Sequence, residues 1–179
     1  MPHIHTEPGQ YDHTASAYIF RVDFSEPKIM LHRHKLLDRY MQFGGHIELN
    51  ETPWQAIIHE LREETGYDIQ QLSLLQPERR IKHLTNAVAH PAPIAHSSHP
   101  FGSNGSGHFH TDIAYALIAH EAPKYTPHDG ESTDIKLFTR REITELPGDK
   151  IIENIREITL AIFDDFLETW HPVSSREFK

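Results

Sequence analysis

Cysteine is absent from the 179-residue sequence. Its absence excludes a disulfide framework, thiol nucleophiles and cysteine-ligated metal sites, and it is compatible with a reducing compartment. Long apolar runs are absent as well, and the first five residues lack the basic and apolar regions of a signal peptide. The sequence therefore predicts a soluble cytoplasmic protein with no membrane partner.

Basic residues are few. The chain has 17 Lys and Arg against 26 Asp and Glu, a formal net charge of −9 with histidine neutral. This balance argues against general affinity for a nucleic-acid backbone. An acidic protein can still bind a phosphorylated small molecule when metal ions lie between the two. The length favours a single domain over residues 1–179, beginning with an extended, polar arm over residues 1–13.

One short helix is well delimited by its flanking residues. Thr52 can cap its N-terminus, Pro53 suits the first helical position, and Gln55 completes a capping box. Gly66 suits the position just beyond the C-terminus. The helix follows the pair Gly44-Gly45, so the sequence predicts a glycine-containing loop that leads into a capped helix.

Three carboxylates gather on one side of this helix. At roughly 100° per residue, Glu60, Glu63 and Glu64 fall within an arc of about 100°, beside an apolar face that contains Trp54 and Leu61. Like charges at this spacing repel, and negative charge is disfavoured near a helix C-terminus. Local stability does not explain the cluster, whereas a hard divalent cation with oxygen ligands does.

The spacing of these residues resembles the Nudix box. The sequence reads Gly45-x5-Glu51-x7-His59-Glu60-Leu61-x-Glu63-Glu64-x-Gly66-Tyr67, and the box is G-x5-E-x7-R-E-U-x-E-E-x-G-U, with U a bulky apolar residue. The resemblance implies a Nudix hydrolase of the MutT-like type. Its fold would be an α/β/α sandwich with a central mixed sheet, a loop–helix–loop catalytic motif and a C-terminal packing helix.

The resemblance also implies roles for individual residues. The expected cofactor is Mg²⁺ or Mn²⁺, and the expected substrate is a nucleoside diphosphate linked to another moiety X. Its metal ligands would be the Gly45 carbonyl with Glu60, Glu63 and Glu64, and Glu60 shares metal or base duty. Glu51 is a weaker candidate, because an acid there also suits the positive end of the helix dipole. Glu131 is a candidate extra ligand or base, with a solvated loop acid as the alternative.

His59 stands where the box has arginine. A histidine near neutral pH is largely uncharged and cannot reproduce the forked contact of a guanidinium. Two interpretations follow. The protein is an active pyrophosphohydrolase with a weaker or pH-sensitive site, or it is a nucleotide-binding or sensor module that has lost catalysis.

A second group of polar residues begins a predicted strand over residues 108–119. Alternation places His108, His110 and Asp112 on one face. Three interpretations remain open: a transition-metal site, contact with the substrate, and plain structural hydrogen bonding. Other predicted strands cover residues 17–24, 28–34, 40–43, 78–84 and 135–138.

The remaining predictions concern a long loop, a helix and the assembly. Residues 89–107 are rich in His, Pro and Gly and are predicted to form a long loop, for which a functional and a disordered segment are the two open interpretations. On the functional interpretation, this loop is the candidate element that selects the substrate. Residues 150–170 carry an apolar stripe of helical period and are predicted to form a C-terminal packing helix. Dimers are frequent among Nudix proteins, so a homodimer is a candidate assembly. The identity of X is not indicated by the box.

Overall fold

The computed structural model describes Ile4, residues 7–101 and residues 107–178. Its strands are β1 (Tyr11–Arg21), β2 (Lys28–His34), β3 (Arg39–Met41), β4 (Phe43–His46), β5 (Leu72–Gln76), β6 (Ala95–Pro100), β7 (Phe109–Ala119), β8 (Ile135–Phe138) and β9 (His171–Ser174). Its helices are α1 (Pro53–Thr65), α2 (Arg140–Glu145), α3 (Glu153–Ala161) and α4 (Leu167–Thr169), with a π-helical turn (Ile162–Phe166) between the last two.

The described strands form one mixed sheet around β1 and β7. These two strands pair in parallel along their whole length, from Tyr11 opposite Phe109 to Arg21 opposite Ala119. The other edge of β1 is shared, because its C-terminal part pairs with β2 and its N-terminal part with β4. The far edge of β7 is shared in the same way by β5 and β6. One end of the sheet is therefore built from β4, β1, β7 and β6.

Helices cover both faces of this sheet. Side chains of β1 alternate between the faces, so Ala17 and Ile19 pack towards α1, whereas Tyr18 and Phe20 pack towards α3. Burying both faces explains why β1 and β7 are apolar at successive positions. The arrangement confirms the predicted α/β/α sandwich with a central mixed sheet.

Helix α1 has the predicted boundaries and caps. The Thr52 side chain accepts a hydrogen bond from the Gln55 backbone N–H, and the Gln55 side chain accepts one from the Thr52 N–H. Trp54 and Leu61 are fully buried against the sheet. Gly66 ends the helix with φ 75°, and its carbonyl accepts a hydrogen bond from the Tyr125 N–H at 3.0 Å. The helix is therefore fixed at both ends.

Two predicted irregular segments contain strands. The predicted N-terminal arm over residues 1–13 is shorter, because β1 begins at Tyr11; residues 1–3, 5 and 6 lie outside the described part. The predicted loop over residues 89–107 contains β6, which pairs with β7 from Ala95 opposite Ala114 to Pro100 opposite Phe109. The reason is that the edge of β7 offers unpaired backbone groups that an extended chain can satisfy, whatever its side chains. Residues 102–106 of that loop are outside the described residues.

The C-terminal region also differs from the prediction. The predicted C-terminal packing helix over residues 150–170 is observed with a later start: Ile151 is extended and forms a bridge with Tyr40, and the helical segment begins with α3 at Glu153 and continues through the π-helical turn and α4 to Thr169. The predicted strand over residues 78–84 is absent from the described structure, because most of its side chains are exposed and give it no face to bury. Strand β9 was not predicted, since four residues with one proline carry little strand signal. No helix among the described residues is long and apolar enough to cross a bilayer.

We expect Gly66→Ala to destabilise the fold more than Gly130→Ala. Both glycines have positive φ, which costs an alanine about 1–2 kcal/mol. A Cβ at Gly66 would also lie 2.1 Å from the Tyr125 carbonyl oxygen, whereas nothing lies within 4 Å of a Cβ at Gly130. Urea unfolding of the two variants measures the difference. Equal losses of unfolding free energy would show that the Gly66–Tyr125 approach imposes no constraint.

Candidate active site

Glu64 connects α1 to the glycine pair of β4. Its Oε2 accepts a hydrogen bond from the Gly44 backbone N–H at 2.7 Å. Gly44 has φ 127°, and a Cβ there would lie 2.1 Å from the Ala15 carbonyl oxygen, so only glycine fits. Gly45 follows in β4 and pairs with Ala15. The carboxylate of Glu64 is thus held beside the two glycines, as the spacing of the box requires.

Glu60 lies one turn earlier on α1 and is buried, with 5% of its surface exposed. Its Oε1 has no hydrogen-bond partner among the described residues. The His59 ring faces this oxygen, with Nε2 at 3.5 Å, a distance too long for a good hydrogen bond. A buried carboxylate oxygen left this way costs free energy unless another group satisfies it.

His59 lies between two carboxylates. Its Nδ1 is 3.1 Å from Glu51 Oε2, and its Nε2 faces Glu60. Glu51 also accepts a hydrogen bond from the Glu48 N–H at 2.9 Å, which closes the loop before α1. Histidine at this position therefore does face two acids, although a neutral imidazole has one N–H and can donate to only one of them.

Glu63 and Glu131 complete the acidic group. Glu63 is exposed, and its backbone carbonyl accepts a hydrogen bond from the His128 N–H at 2.8 Å. The Glu131 N–H in turn donates to the His128 carbonyl at 3.1 Å. This contact fastens the 123–131 loop to the last turn of α1. Asp134, which lies beyond this loop and directly before β8, instead faces Arg33 and Lys136.

Burial and the neighbouring charges raise the pKa values of Glu60 and Glu64. Burial raises the pKa of Glu60 to about 7; His59 opposes this rise, and Glu63 and Glu131 add to it. Burial likewise raises the pKa of Glu64 to about 8, against the lowering effect of the Gly44 hydrogen bond and with further increases from Glu60, Glu131 and Glu63. The structure therefore brings Glu131 close enough to act on both Glu60 and Glu64.

These residues fit a hard divalent cation. The buried Oε1 of Glu60 needs a partner, and several carboxylates converge where the helix dipole disfavours negative charge. Oxygen donors of this kind suit Mg²⁺ or Mn²⁺. The residues that could hold such an ion are Glu60, Glu63 and Glu64, with the Gly45 carbonyl. Glu131 lies close to them. The carboxylate of Glu51 already contacts the Glu48 N–H and His59.

The predicted grouping of His108, His110 and Asp112 is only partly observed. All three are buried near the start of β7. Asp112, however, accepts hydrogen bonds from the Thr14 and Ser16 hydroxyls, each at 2.8 Å, and these bonds account for its burial. His110 instead forms a compact group with Asp12 and His46.

Sequence analysis missed two kinds of site residue. The Gly44 N–H was not recognised as the hydrogen-bond donor to Glu64, although the glycine pair itself marked the position. Asp12 and His46 were not associated with His110, because only the register of β1 with β4 and β7 brings the three together. No spacing within a single segment could have indicated that group.

The whole chain was compared with known proteins. A family model described as NUDIX domain matches residues 12–156. An 8-oxo-dGTP diphosphatase from Proteus vulgaris is 43% identical over 53 residues, which are 30% of this chain and 38% of that protein. The match thus spans about two fifths of the length of this curated relative.

Solved structures share the fold. A hydrolase of the NUDIX family from Clostridium perfringens has a TM-score of 0.65 and 26% identity, and the likeness covers 86% of this chain and 96% of that one. The NUDIX domain of Shewanella oneidensis NrtR, solved with ADP ribose, has a TM-score of 0.56 and 16% identity over 86% of each chain. The latter likeness shows the fold alone.

Without metal, we expect the protein to lose stability as pH rises from 6.5 to 8.5. The folded state keeps protons on Glu60 and Glu64 up to about pH 7 and 8, whereas the unfolded chain has already released them. The folded state thus binds more protons than the unfolded chain in this range, so the free energy of unfolding falls with rising pH until those protons have been released. Thermal unfolding in EDTA measures the slope.

Glu64→Gln should remove more than half of this slope, since Glu64 keeps its proton to a higher pH than Glu60 does. Glu157→Gln, an exposed acid on α3, is the matched control and should leave the slope unchanged. Added Mg²⁺ should stabilise the wild type more at pH 8.5 than at pH 6.5. A wild-type slope equal to that of Glu64→Gln would contradict the raised pKa of Glu64.

Proposed function

The chain belongs to the Nudix hydrolase family, and on that premise we propose that it is a divalent-metal-dependent hydrolase. Its substrate would be a nucleoside diphosphate linked to another moiety, cleaved at the diphosphate linkage. The observation that carries the proposal is the convergence of Glu60 and Glu64, both with raised pKa values, beside the Gly44-Gly45 strand. A cation is the simplest group that relieves this crowding.

Three acids and one carbonyl are proposed to hold Mg²⁺ or Mn²⁺. They are Glu60, Glu63, Glu64 and the Gly45 carbonyl. When bound there, such a cation would supply Lewis-acid stabilisation of the phosphoryl oxygens and would make a water molecule more acidic. The Gly44 N–H orients Glu64, since one carboxylate oxygen is fixed by that hydrogen bond and the other remains for the cation.

A carboxylate is proposed to take up the proton from the attacking water. Glu60 is one candidate, in the case where Glu63 and Glu64 hold the cation, because its carboxylate is buried beside them and its pKa in the metal-free protein is about 7. Glu131 is the alternative, because it acts electrostatically on both Glu60 and Glu64 from a loop fixed to α1. The two assignments differ in the element that carries the base, which is α1 for Glu60 and the 123–131 loop for Glu131.

A nucleotide-binding or sensor module is the second candidate function. His59 supplies one N–H to two carboxylates when neutral, where arginine would supply a permanent fork. The NrtR domain solved with ADP ribose has the same fold. On this alternative the protein binds a nucleotide and releases no product.

The relatives suggest where to look for the substrate. One is named an 8-oxo-dGTP diphosphatase and another was solved with ADP ribose, so oxidised nucleoside triphosphates and nucleotide sugars should head the panel. Selection of the substrate by residues 89–107 stays a prediction, as do the cytoplasmic location and the homodimer.

Glu63→Gln and Glu64→Gln should each lower kcat by roughly a hundredfold or more. Each change removes a carboxylate charge from the proposed metal site while keeping the side chain's size. Turnover is measured across the diphosphate panel with Mg²⁺ and with Mn²⁺. Glu157→Gln should match the wild type in the same assay. Wild-type turnover retained in both box variants would exclude the proposed site.

His59→Arg should raise kcat/KM at pH 8 by about tenfold. A guanidinium stays charged and can donate to both Glu51 and Glu60, and one charge-assisted hydrogen bond contributes about 1.5 kcal/mol. His59→Gln is the control, since it supplies a donor without charge and should give no gain. Ligand-induced thermal stabilisation without product, in both the wild type and His59→Arg, would favour the sensor module.

A further inference from the structure

Three strand ends bring metal-binding side chains together away from the glutamates. Asp12 lies at the start of β1, His46 at the end of β4 and His110 at the start of β7. The register pairs Thr14 with His46 and Asp12 with His110. In β1, Asp12 alternates in phase with Tyr18 and Phe20, which pack towards α3. The group therefore lies on the face of the sheet opposite α1.

The three side chains lie near the spacing that a shared metal ion requires. One ligand atom from each of the three residues lies within 4.8 Å of the other two. His46 Nε2 and Asp12 Oδ2 are already 3.3 Å apart, and the rings of His46 and His110 are nearly perpendicular at 5.1 Å. Zinc with bonds of 2.0–2.1 Å to nitrogen and oxygen separates neighbouring ligands by about 3.3–3.4 Å. Small side-chain adjustments would complete the site.

Neighbouring groups surround Asp12 and His110. Asp12 is only 1% exposed, and its Oδ2 accepts a hydrogen bond from the Ile4 N–H at 3.0 Å. His99 pairs with His110 across β6 and β7, and its buried Nδ1 has no hydrogen-bond partner among the described residues. A hydrogen bond such as the one from the Ile4 N–H orients a carboxylate ligand in metal sites.

The donor types separate this group from the acidic one. Two imidazoles and one carboxylate suit Zn²⁺ or a neighbouring transition metal, whereas carboxylates and carbonyls suit Mg²⁺. Three protein ligands also leave a fourth position for water or a ligand oxygen. We propose that Asp12, His46 and His110 form a transition-metal site, specific for Zn²⁺ over Mg²⁺, that fixes the ends of β1, β4 and β7.

The test is metal binding by untagged, EDTA-stripped, full-length protein. We expect the wild type to bind Zn²⁺ at this site in competition titrations, to give a tetrahedral Co²⁺ absorption spectrum, and to retain Zn²⁺ in the presence of excess Mg²⁺. His46→Ala and His110→Ala should weaken the binding at least tenfold and abolish the spectrum. Asp12→Asn preserves the side-chain size and provides a second test if an alanine variant does not fold.

Two controls make the result decisive. His13→Ala removes an exposed histidine from the same strand but on the opposite face, and it should bind Zn²⁺ as the wild type does. Glu64→Gln changes the acidic group and should also retain Zn²⁺, whether or not the protein proves to be a hydrolase. Loss of Zn²⁺ binding in Glu64→Gln together with its retention in His46→Ala would overturn the proposal, as would the lack of stoichiometric Zn²⁺ binding by the wild type.

Discussion

The parallel pairing of β1 with β7 is the constraint on which the rest of the structure depends. It runs for the full length of both strands, and the shared edges of β1 then position β2 and β4. Because β4 is held against β1, the Gly44 N–H meets Glu64 of α1. The same register brings His110 beside Asp12. The acidic site and the group of Asp12, His46 and His110 are thus both consequences of one strand pair and of the alternation of side chains along it.

The acidic site illustrates how burial and function oppose each other. Burial makes the ionised forms of Glu60 and Glu64 unfavourable, and both pKa values rise. Such positions usually reflect a requirement other than stability, because apolar side chains would pack there at lower cost. The His59 ring opposes part of the rise in the pKa of Glu60, and the Gly44 N–H opposes part of the rise in the pKa of Glu64. A cation would stabilise the ionised form of the whole group.

The bounds of α1 and its glutamates could be predicted from the sequence far better than the groups that those glutamates contact. The capping box and Gly66 fixed the bounds of α1, and the spacing of the box identified Glu60, Glu63 and Glu64, because these signals are local. Strand β6 could not be predicted, since its pairing depends on the exposed edge of β7 and its own residues are polar. The association of Asp12 with His46 depends on strand register, which no single segment encodes.

The attachment of the 123–131 loop to α1 has a mechanical consequence. Tyr125 and His128 donate backbone hydrogen bonds to Gly66 and Glu63, so the loop that carries Glu131 is attached to the end of the helix at two points. The Glu131 N–H in turn donates to the His128 carbonyl. The place of Glu131 relative to Glu63 is therefore fixed by main-chain contacts, which do not depend on the identity of the side chains in the loop.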